Sequence, residues 1–329
     1  MNAEKQALIA LGLDIYKNEL PVGTHFSAAN STMRDKIVEL FGSDRITHKE
    51  MRRNKPEFFE IIEEVLDVSV QEGLKEEGFF QQLVEYRDLN LGDTNVFTIP
   101  DRNLFDVAMV SEGNNNIRRQ RIDSDSITVN ANVYAVKIYE ELNRFLSGAI
   151  NWVELVNRVK ESFKQKILTD IYTSFRNAYS KLPAVFAKTG TYDSETMTDL
   201  IAHVEASSGK VMVVGTKKAL KKYAPTHVSE VSKDIFNEQG YFTVVDGTPV
   251  LALTQIHKPS TFDFILDDNE LYVIPVVGTK PVKMVREGGT MIYDGTTNNS
   301  ADETIEYMIK QRYGINVILS SYFGIYRFS

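Results

Sequence analysis

At 329 residues the chain is long enough for two domains, or for one domain carrying insertions, and 43% hydrophobic content supplies a sizeable core. With 37 Lys and Arg against 45 Asp and Glu, the formal charge of −8 repels phosphate backbones overall and leaves only local basic patches for nucleic acid. The lack of cysteine excludes disulfides and thiolate metal sites and fits assembly in a reducing compartment.

The opening MNAEKQALIALGLDIYKNEL carries Glu4, Lys5, Asp14 and Lys17 and has neither the basic start nor the cleavage site of a secretory signal, so it reads as a helix of the mature protein. No stretch reaches the uncharged apolar length of a membrane span, so no membrane partner is expected. Asn30-Ser31-Thr32 matches the glycosylation pattern, a chance match without a secretory route. The first ninety residues read as helical and unevenly charged. Residues 45–55 (RITHKEMRRNK) are basic, whereas residues 56–88 hold ten acidic residues and two basic ones. Such asymmetry marks either a solvated helix face or a contact between neighbouring copies. Phe58, Ile61, Ile62, Val65 and Leu66 recur at helical spacing after Pro56, read as a first-turn proline.

Near Asn90 the character changes. Residues 94–110 and 117–136 are rich in β-branched and alternating residues, and a Gly/Asn cluster at 113–116 separates them. This predicts a long excursion of strand character that buries little within itself and needs a surface elsewhere. Its tip is Glu112, Gly113, Asn114, Asn115 and Asn116, followed by Arg118, Arg119 and Arg121. Three guanidinium groups in four positions fit either phosphates or carboxylates.

NWVELVNRVKESFKQKILTDIYTSFRNAY at 151–179 follows. Trp152, Val156, Val159, Phe163, Ile167, Ile171, Phe175 and Ala178 are spaced by three or four, uninterrupted by Gly or Pro. The pattern predicts a helix of roughly 40 Å, a spine for the fold. From 194 to 257 short helices and strands alternate, with Ser194 and Thr216 as candidate helix caps ahead of DLIAHVEAS and KKALKKYA and with VMVVG as a buried strand. The remainder, including FDFIL, LYVIPVV, VKMVRE, TIEYMIK and INVILSSYFGIYRF, reads mostly as strand. The whole is an α+β pattern without internal repeats.

No catalytic, cofactor-binding or metal-ligating set emerges. His25, His48, His203, His227 and His257 are scattered, without a metal-ligand spacing. VVGTKKA at 213–219 has a strand, a turn and a helix start but not the glycine spacing of a phosphate loop, so a plain helix cap accounts for it. Lys217, Lys218, Lys221 and Lys222 form a basic helix face, Asp267-Asp268-Asn269 reads as a hairpin turn, and no serine elbow is present. No enzyme activity and no cofactor are expected.

The order of parts resembles the major capsid proteins of tailed bacteriophages, the Hong Kong 97 capsid fold. SEGNNNIRRQRIDSDSITVNANVYAV is similar to that family's extended E-loop, and INWVELVNRVKESFKQKI to its spine helix. TDLIAHVEASSGKVMVVGTKKALKKYAP resembles the helix, strand and helix of its axial domain. GTPVLALTQIHKPSTFDFIL resembles the later strand pair, and MIKQRYGINVILSSYFGIYRF the closing strands. The likeness covers roughly residues 90 to 329, and the series, rather than any single motif, carries it.

The resemblance implies an N-terminal helical arm at 1–90, an E-loop β-hairpin at 91–136, and a peripheral domain with the spine helix at 137–181. An axial α/β domain would follow at 182–276, then peripheral strands at 277–314 and a closing axial strand at 315–329. The implied protein self-assembles into pentamers and hexamers of an icosahedral head around double-stranded DNA, bound without sequence specificity. It would reside in the virion after assembly in the host cytoplasm, with portal, scaffolding and decoration proteins as further partners. An acidic subunit suits a wall that does not hold its DNA tightly, and the arginines then face carboxylates of an adjacent subunit, in the acidic stretch between Glu57 and Asp88. Some relatives crosslink through a lysine near the E-loop tip. Arg118, Arg119 and Arg121 stand there instead, and a guanidinium is a poor nucleophile, so the joint is expected to be non-covalent. The short chain ahead of the E-loop points to a separate scaffolding protein. Alternatives are an encapsulin-like cellular compartment and, from another class, a soluble α/β enzyme or a nucleic-acid-binding protein using the arginines and the lysine face.

Overall fold

Two helices with apolar residues every three or four positions supply half of the main hydrophobic cluster. The computed structural model describes residues 6, 9–14, 32, 35, 36, 39, 48–93, 95–99, 105–110, 118–121, 125–141, 152–224, 229–258, 261–276, 280–294, 304–318 and 323–328. The first long helix, α1, is His48–Lys75 and buries Phe59, Ile61, Ile62, Val65, Leu66, Val70 and Leu74. The side chain of Phe58 lies outside the described set. Pro56 sits inside α1, eight residues after its start, and not in the first turn as expected. Its position is exposed, so water can satisfy the carbonyl that a proline interrupts.

A short helix, α2 (Gly78–Leu83), leads into strand β1 (Val84–Leu89), where a helical arm was expected. The alternating VEYRDL pattern suits a strand, and the edge of Val282–Glu287 supplies a partner that local sequence cannot reveal. After the excursion, strand β4 (Asn132–Glu141) precedes the second long helix, α3 (Trp152–Asn177), whose 26 residues span about 39 Å. Val156, Val159, Phe163, Ile167, Ile171 and Phe175 are buried along it, and Leu168 and Tyr172 widen the stripe. Trp152 heads the helix, with a side chain outside the described set. Beside α1, Lys164 pairs with Glu77 at 2.7 Å.

In the five-stranded sheet, β1 pairs parallel with β10 (Val282–Glu287), which pairs antiparallel with the 14-residue β12 (Thr304–Val317). β12 also pairs with β4 and with β11 (Met291–Asp294). Registers Arg286↔Tyr313 and Met291↔Lys310 differ by two residues, so β10 and β11 form one bulged strand along β12, interrupted at Gly288-Gly289. Gly288, at φ +67, supplies the left-handed residue. α1 seats on this bulge through Asp67, whose Oδ1 accepts from the Thr290 N–H at 2.6 Å and pairs with Arg286 at 2.5 Å.

In the six-stranded sheet the order is β5 (Ala187–Gly190), β13 (Gly324–Phe328), β9 (Glu270–Pro275), β6 (Val211–Thr216), β8 (Thr248–Leu253) and β7 (Val244–Val245). β9 is buried on both faces. Leu271 and Val273 join a cluster under helix α4 (Ser194–Ser208), whereas Tyr272 and Ile274 join the main core with α1 and α3. Phe175 of α3 stacks on Phe323 at 4.3 Å between ring centres, which fixes the end of the spine to this sheet. α4 is capped by Asp193, which accepts from the Thr196 N–H at 2.8 Å, and Ser194 is its first helical residue, not its cap. A carboxylate also meets the positive end of the helix dipole, which favours this cap. Thr216 caps α5 (Lys217–Leu220) as expected, accepting from the Ala219 N–H at 3.2 Å.

Candidate assembly interface

The excursion starts from a small anchored root. Strands β2 (Val96–Ile99) and β3 (Asp125–Thr128) pair antiparallel, with Phe97 opposite Ile127. Phe97 is buried with Val129 and Val285, beneath the Arg87 guanidinium at 4.0 Å from its ring centre. Arg87 also donates to the Val96 carbonyl at 3.0 Å, and Asn95 bonds both backbone groups of Val129. Buried Lys283 bonds Glu85 at the same root. Partial burial opposes ionisation of Glu85, but Lys283 and Arg87 outweigh it and hold the carboxyl below its usual range.

Beyond the root the described residues lose their cover. Residues 105–110 and 118–121 are exposed throughout. The two arms are tied where the Gln120 side-chain amide exchanges two 2.8 Å hydrogen bonds with the backbone of Asp106. Phe105, Val107 and Met109 are 51%, 96% and 102% exposed and alternate along the arm, an apolar row in which Phe105 is half covered and the other two are bare. The row escaped sequence reasoning as a contact, although the Phe-Asp-Val-Ala-Met alternation was its signal.

Arg118, Arg119 and Arg121 sit on the other arm and are exposed. Glu112, Gly113, Asn114, Asn115 and Asn116 lie outside the described residues. The spine set from Val156 to Phe175 is in the core, so the arginines and the spine residues are not brought together. Within the acidic stretch, Asp67, Glu77 and Glu85 pair inside the subunit with Arg286, Lys164 and Lys283, whereas Glu57, Glu64 and Glu76 face solvent.

Near the C-terminal end of α3 an open cleft of about 1020 Å³ is lined by Arg176, Lys218, Asp267, Asp268 and Arg327, among others. Glu270, 1% exposed, lies beside it. Its Oε1 meets the Nε atoms of Arg176 at 2.9 Å and Arg327 at 2.8 Å, and its Oε2 accepts from Tyr272 and, at 3.3 Å, from Tyr172. Burial, followed by the neighbouring Tyr172 and Glu270, pushes the Tyr272 phenol well above its usual value. Arg176 also holds Asp267 at 2.8 Å, and Lys218 holds Asp268 at 3.4 Å. These charges compensate one another and join α3, β9 and β13, so the cluster is a clasp between elements. His257 stacks on Phe264 and His203 is exposed, and no group of metal-ligating side chains occurs among the described residues.

A spine helix against two mixed sheets, with a hairpin thrown outward from the first, is the architecture of the Hong Kong 97 class of phage capsid subunits. Residues 24–327 match the family described as "SPbeta prophage-derived putative capsid protein YonB", and the chain belongs to that family. A chain from the capsid of a native GTA particle is similar in fold, with 13% identity over 76% of this chain and 89% of that chain and a TM-score of 0.50. Two further similar structures are the mature capsid of bacteriophage PhiM1 (13% identity, 76% of this chain, 87% of that chain, TM-score 0.49) and a virus-like particle from Pyrococcus furiosus (13% identity, 82% and 99%, TM-score 0.46). No curated protein sequence matches the chain.

Proposed function

We propose that the chain is a major capsid protein that closes into pentamers and hexamers of an icosahedral head around double-stranded DNA. The helical part of 1–90 ahead of strand β1, the 91–136 excursion and the parts at 137–181, 182–276, 277–314 and 315–329 take the roles of helical arm, E-loop, peripheral domain, axial domain, peripheral strands and closing strand, while β1 itself belongs to the five-stranded sheet. The observation that carries the reading is the excursion: residues 105–110 and 118–121 are exposed, and Val107 and Met109 have no cover from their own chain. A hairpin that extends apolar side chains into water gains stability when it lies on another copy. Arg118 and Arg119 then meet carboxylates such as Glu57, Glu64 and Glu76 of that copy, and symmetry repeats a modest contact over the whole shell. Portal, scaffolding and decoration proteins complete the head, which forms in the host cytoplasm and becomes the virion wall.

The test is electron microscopy of purified protein, wild type against Arg118→Glu with Arg119→Glu. Wild type should give shells, tubes or capsomer rings that migrate as a monomer after boiling in denaturant. The variant should remain folded by circular dichroism and assemble poorly. A wild type that stays monomeric at high concentration refutes the shell reading, a ladder of covalent oligomers refutes the non-covalent joint, and a variant that assembles normally refutes the arginine contact. Nuclease-resistant DNA inside the particles separates a phage head from a protein-filled compartment.

A further inference from the structure

Helix α6 (Glu230–Gln239) has a cap at each end and no core beneath it. Ser229 accepts from the Ser232 N–H at 3.1 Å, and Gly240 closes the C-terminus at φ +82. None of its ten residues is buried. Phe236 touches Phe242 at 4.9 Å between ring centres, and Val231 is 69% exposed. A ten-residue helix is marginal in water without a packed face, so this one calls for a surface that its own chain does not supply.

The exposed side carries its own instruction. Glu230, Asp234 and Glu238 recur at every fourth position beside Val231, forming a carboxylate stripe in which like charges repel. Lys233 pairs with Glu230 at 2.7 Å, whereas Asp234 and Glu238 have no ion-pair partner among the described residues. In α5 and the residue after it, Lys217 and Lys221 are exposed and one helical turn apart, joined by the Lys221 N–H to Lys217 carbonyl bond of 3.2 Å. Their neighbours Lys218 and Lys222 are engaged with Asp268 and the Phe328 ring, but Lys217 and Lys221 have no ion-pair partner among the described residues. Two anions and two cations, none with an ion-pair partner among the described residues, thus stand on one chain at the same one-turn spacing.

We propose that α6 of one subunit docks on the Lys217–Lys221 turn of a second copy, with Asp234 and Glu238 facing the two lysines and Val231 buried at the contact. The two patches differ, so the contact is heterologous, the head-to-tail kind that builds a ring when the rotation between copies closes. The proposal rests on the shell reading but uses a surface separate from the excursion. Its partner is another copy of this chain and not DNA, since the carboxylate stripe repels phosphate.

The test uses charge exchange in the full chain. Asp234→Lys with Glu238→Lys, or Lys217→Glu with Lys221→Glu, should each raise the protein concentration needed for assembly by roughly tenfold or more, the scale of like charges juxtaposed across an interface. The chain carrying all four substitutions should regain assembly, which a merely misfolded variant cannot do. Because the sequence lacks cysteine, Glu238→Cys and Lys217→Cys can be made in separate chains and mixed; disulfide-linked dimers should appear only in the mixture. Failure of the fourfold variant to recover, or a disulfide within one chain carrying both cysteines, overturns the docking. Failure of the wild type to assemble overturns the shell reading instead.

Discussion

Replacing Glu270 by glutamine keeps the shape of the side chain and removes its charge from the clasp at the end of the spine. In the wild type one carboxylate, 1% exposed, serves guanidinium groups from α3 and β13 at 2.9 and 2.8 Å and two phenols. Removing one partner of a buried ion pair costs about 3–5 kcal/mol, because the other is left desolvated. Arg176 keeps Asp267 at 2.8 Å, and the side chains of Arg176 and Arg327 are 42% and 30% exposed, so water recovers part of the loss. The lower end, about 3 kcal/mol, is expected. At about 2 °C per kcal/mol for a chain of this size, that is a fall of about 6 °C in Tm. Urea unfolding of the unassembled subunit should show a lower midpoint with an unchanged slope. Arg176→Met should cost less, since Glu270 retains Arg327, and a double-mutant cycle between Arg176 and Glu270 should give a coupling above about 1 kcal/mol. A Glu270→Gln variant within about 0.5 kcal/mol of wild type would refute the reasoning, because that is the range of an unimportant surface change.

Gly314→Ala should destabilise the five-stranded sheet by about 1–3 kcal/mol, since a Cβ there would lie 2.8 Å from the Asn130 carbonyl carbon and 3.0 Å from Val129 Cγ1. Unchanged urea midpoints would show that the backbone at Asn130 yields. Glu63→Gln tests pH dependence. Burial, with Asp67, Glu60 and Glu64 nearby, raises the Glu63 carboxyl above 4.5 against the opposing bond from the Ile292 N–H. The folded chain therefore binds that proton more tightly than the unfolded one, and wild-type stability declines as pH rises from 4.5 through the folded value. Glutamine keeps an oxygen for Ile292 and cannot ionise, so its stability relative to wild type should climb as pH rises from 4.5 through the folded value. Parallel stability curves for the two proteins would contradict that sign.

The spine was legible because an amphipathic period without glycine or proline needs no knowledge of partners. β9 was legible as a strand in the LYVIPVV run, whose unbroken apolar character accords with its burial on both faces. β1 was not, since VEYRDL lies in a charged helical stretch and becomes a strand through an edge about 200 residues later. Nor was the clasp. Glu270 follows a turn of polar residues, and its guanidinium partners lie 94 residues before and 57 after it, a coincidence that only the fold creates. The apolar row on the excursion was visible as alternation. Alternation, however, says that one face will be covered and not that another molecule covers it.

Magnitudes then decide which part of the excursion holds a neighbour. The arginines drew attention first, yet an exposed ion pair contributes about 0–1 kcal/mol, and salt screens it. Covering Val107 and Met109, almost fully exposed, and Phe105, half exposed, would return about 4–7 kcal/mol at 1.5–3 kcal/mol for each full burial, before the cost of association. The acidic stretch points the same way, because Asp67, Glu77 and Glu85 neutralise cations of their own subunit and leave fewer carboxylates for a neighbour. In the shell reading, affinity between copies therefore resides in the apolar row, and the guanidinium groups steer the arm and set its register. Added salt should then slow assembly more than it loosens finished particles, since screening acts on encounter between exposed charges and hardly on buried apolar surface.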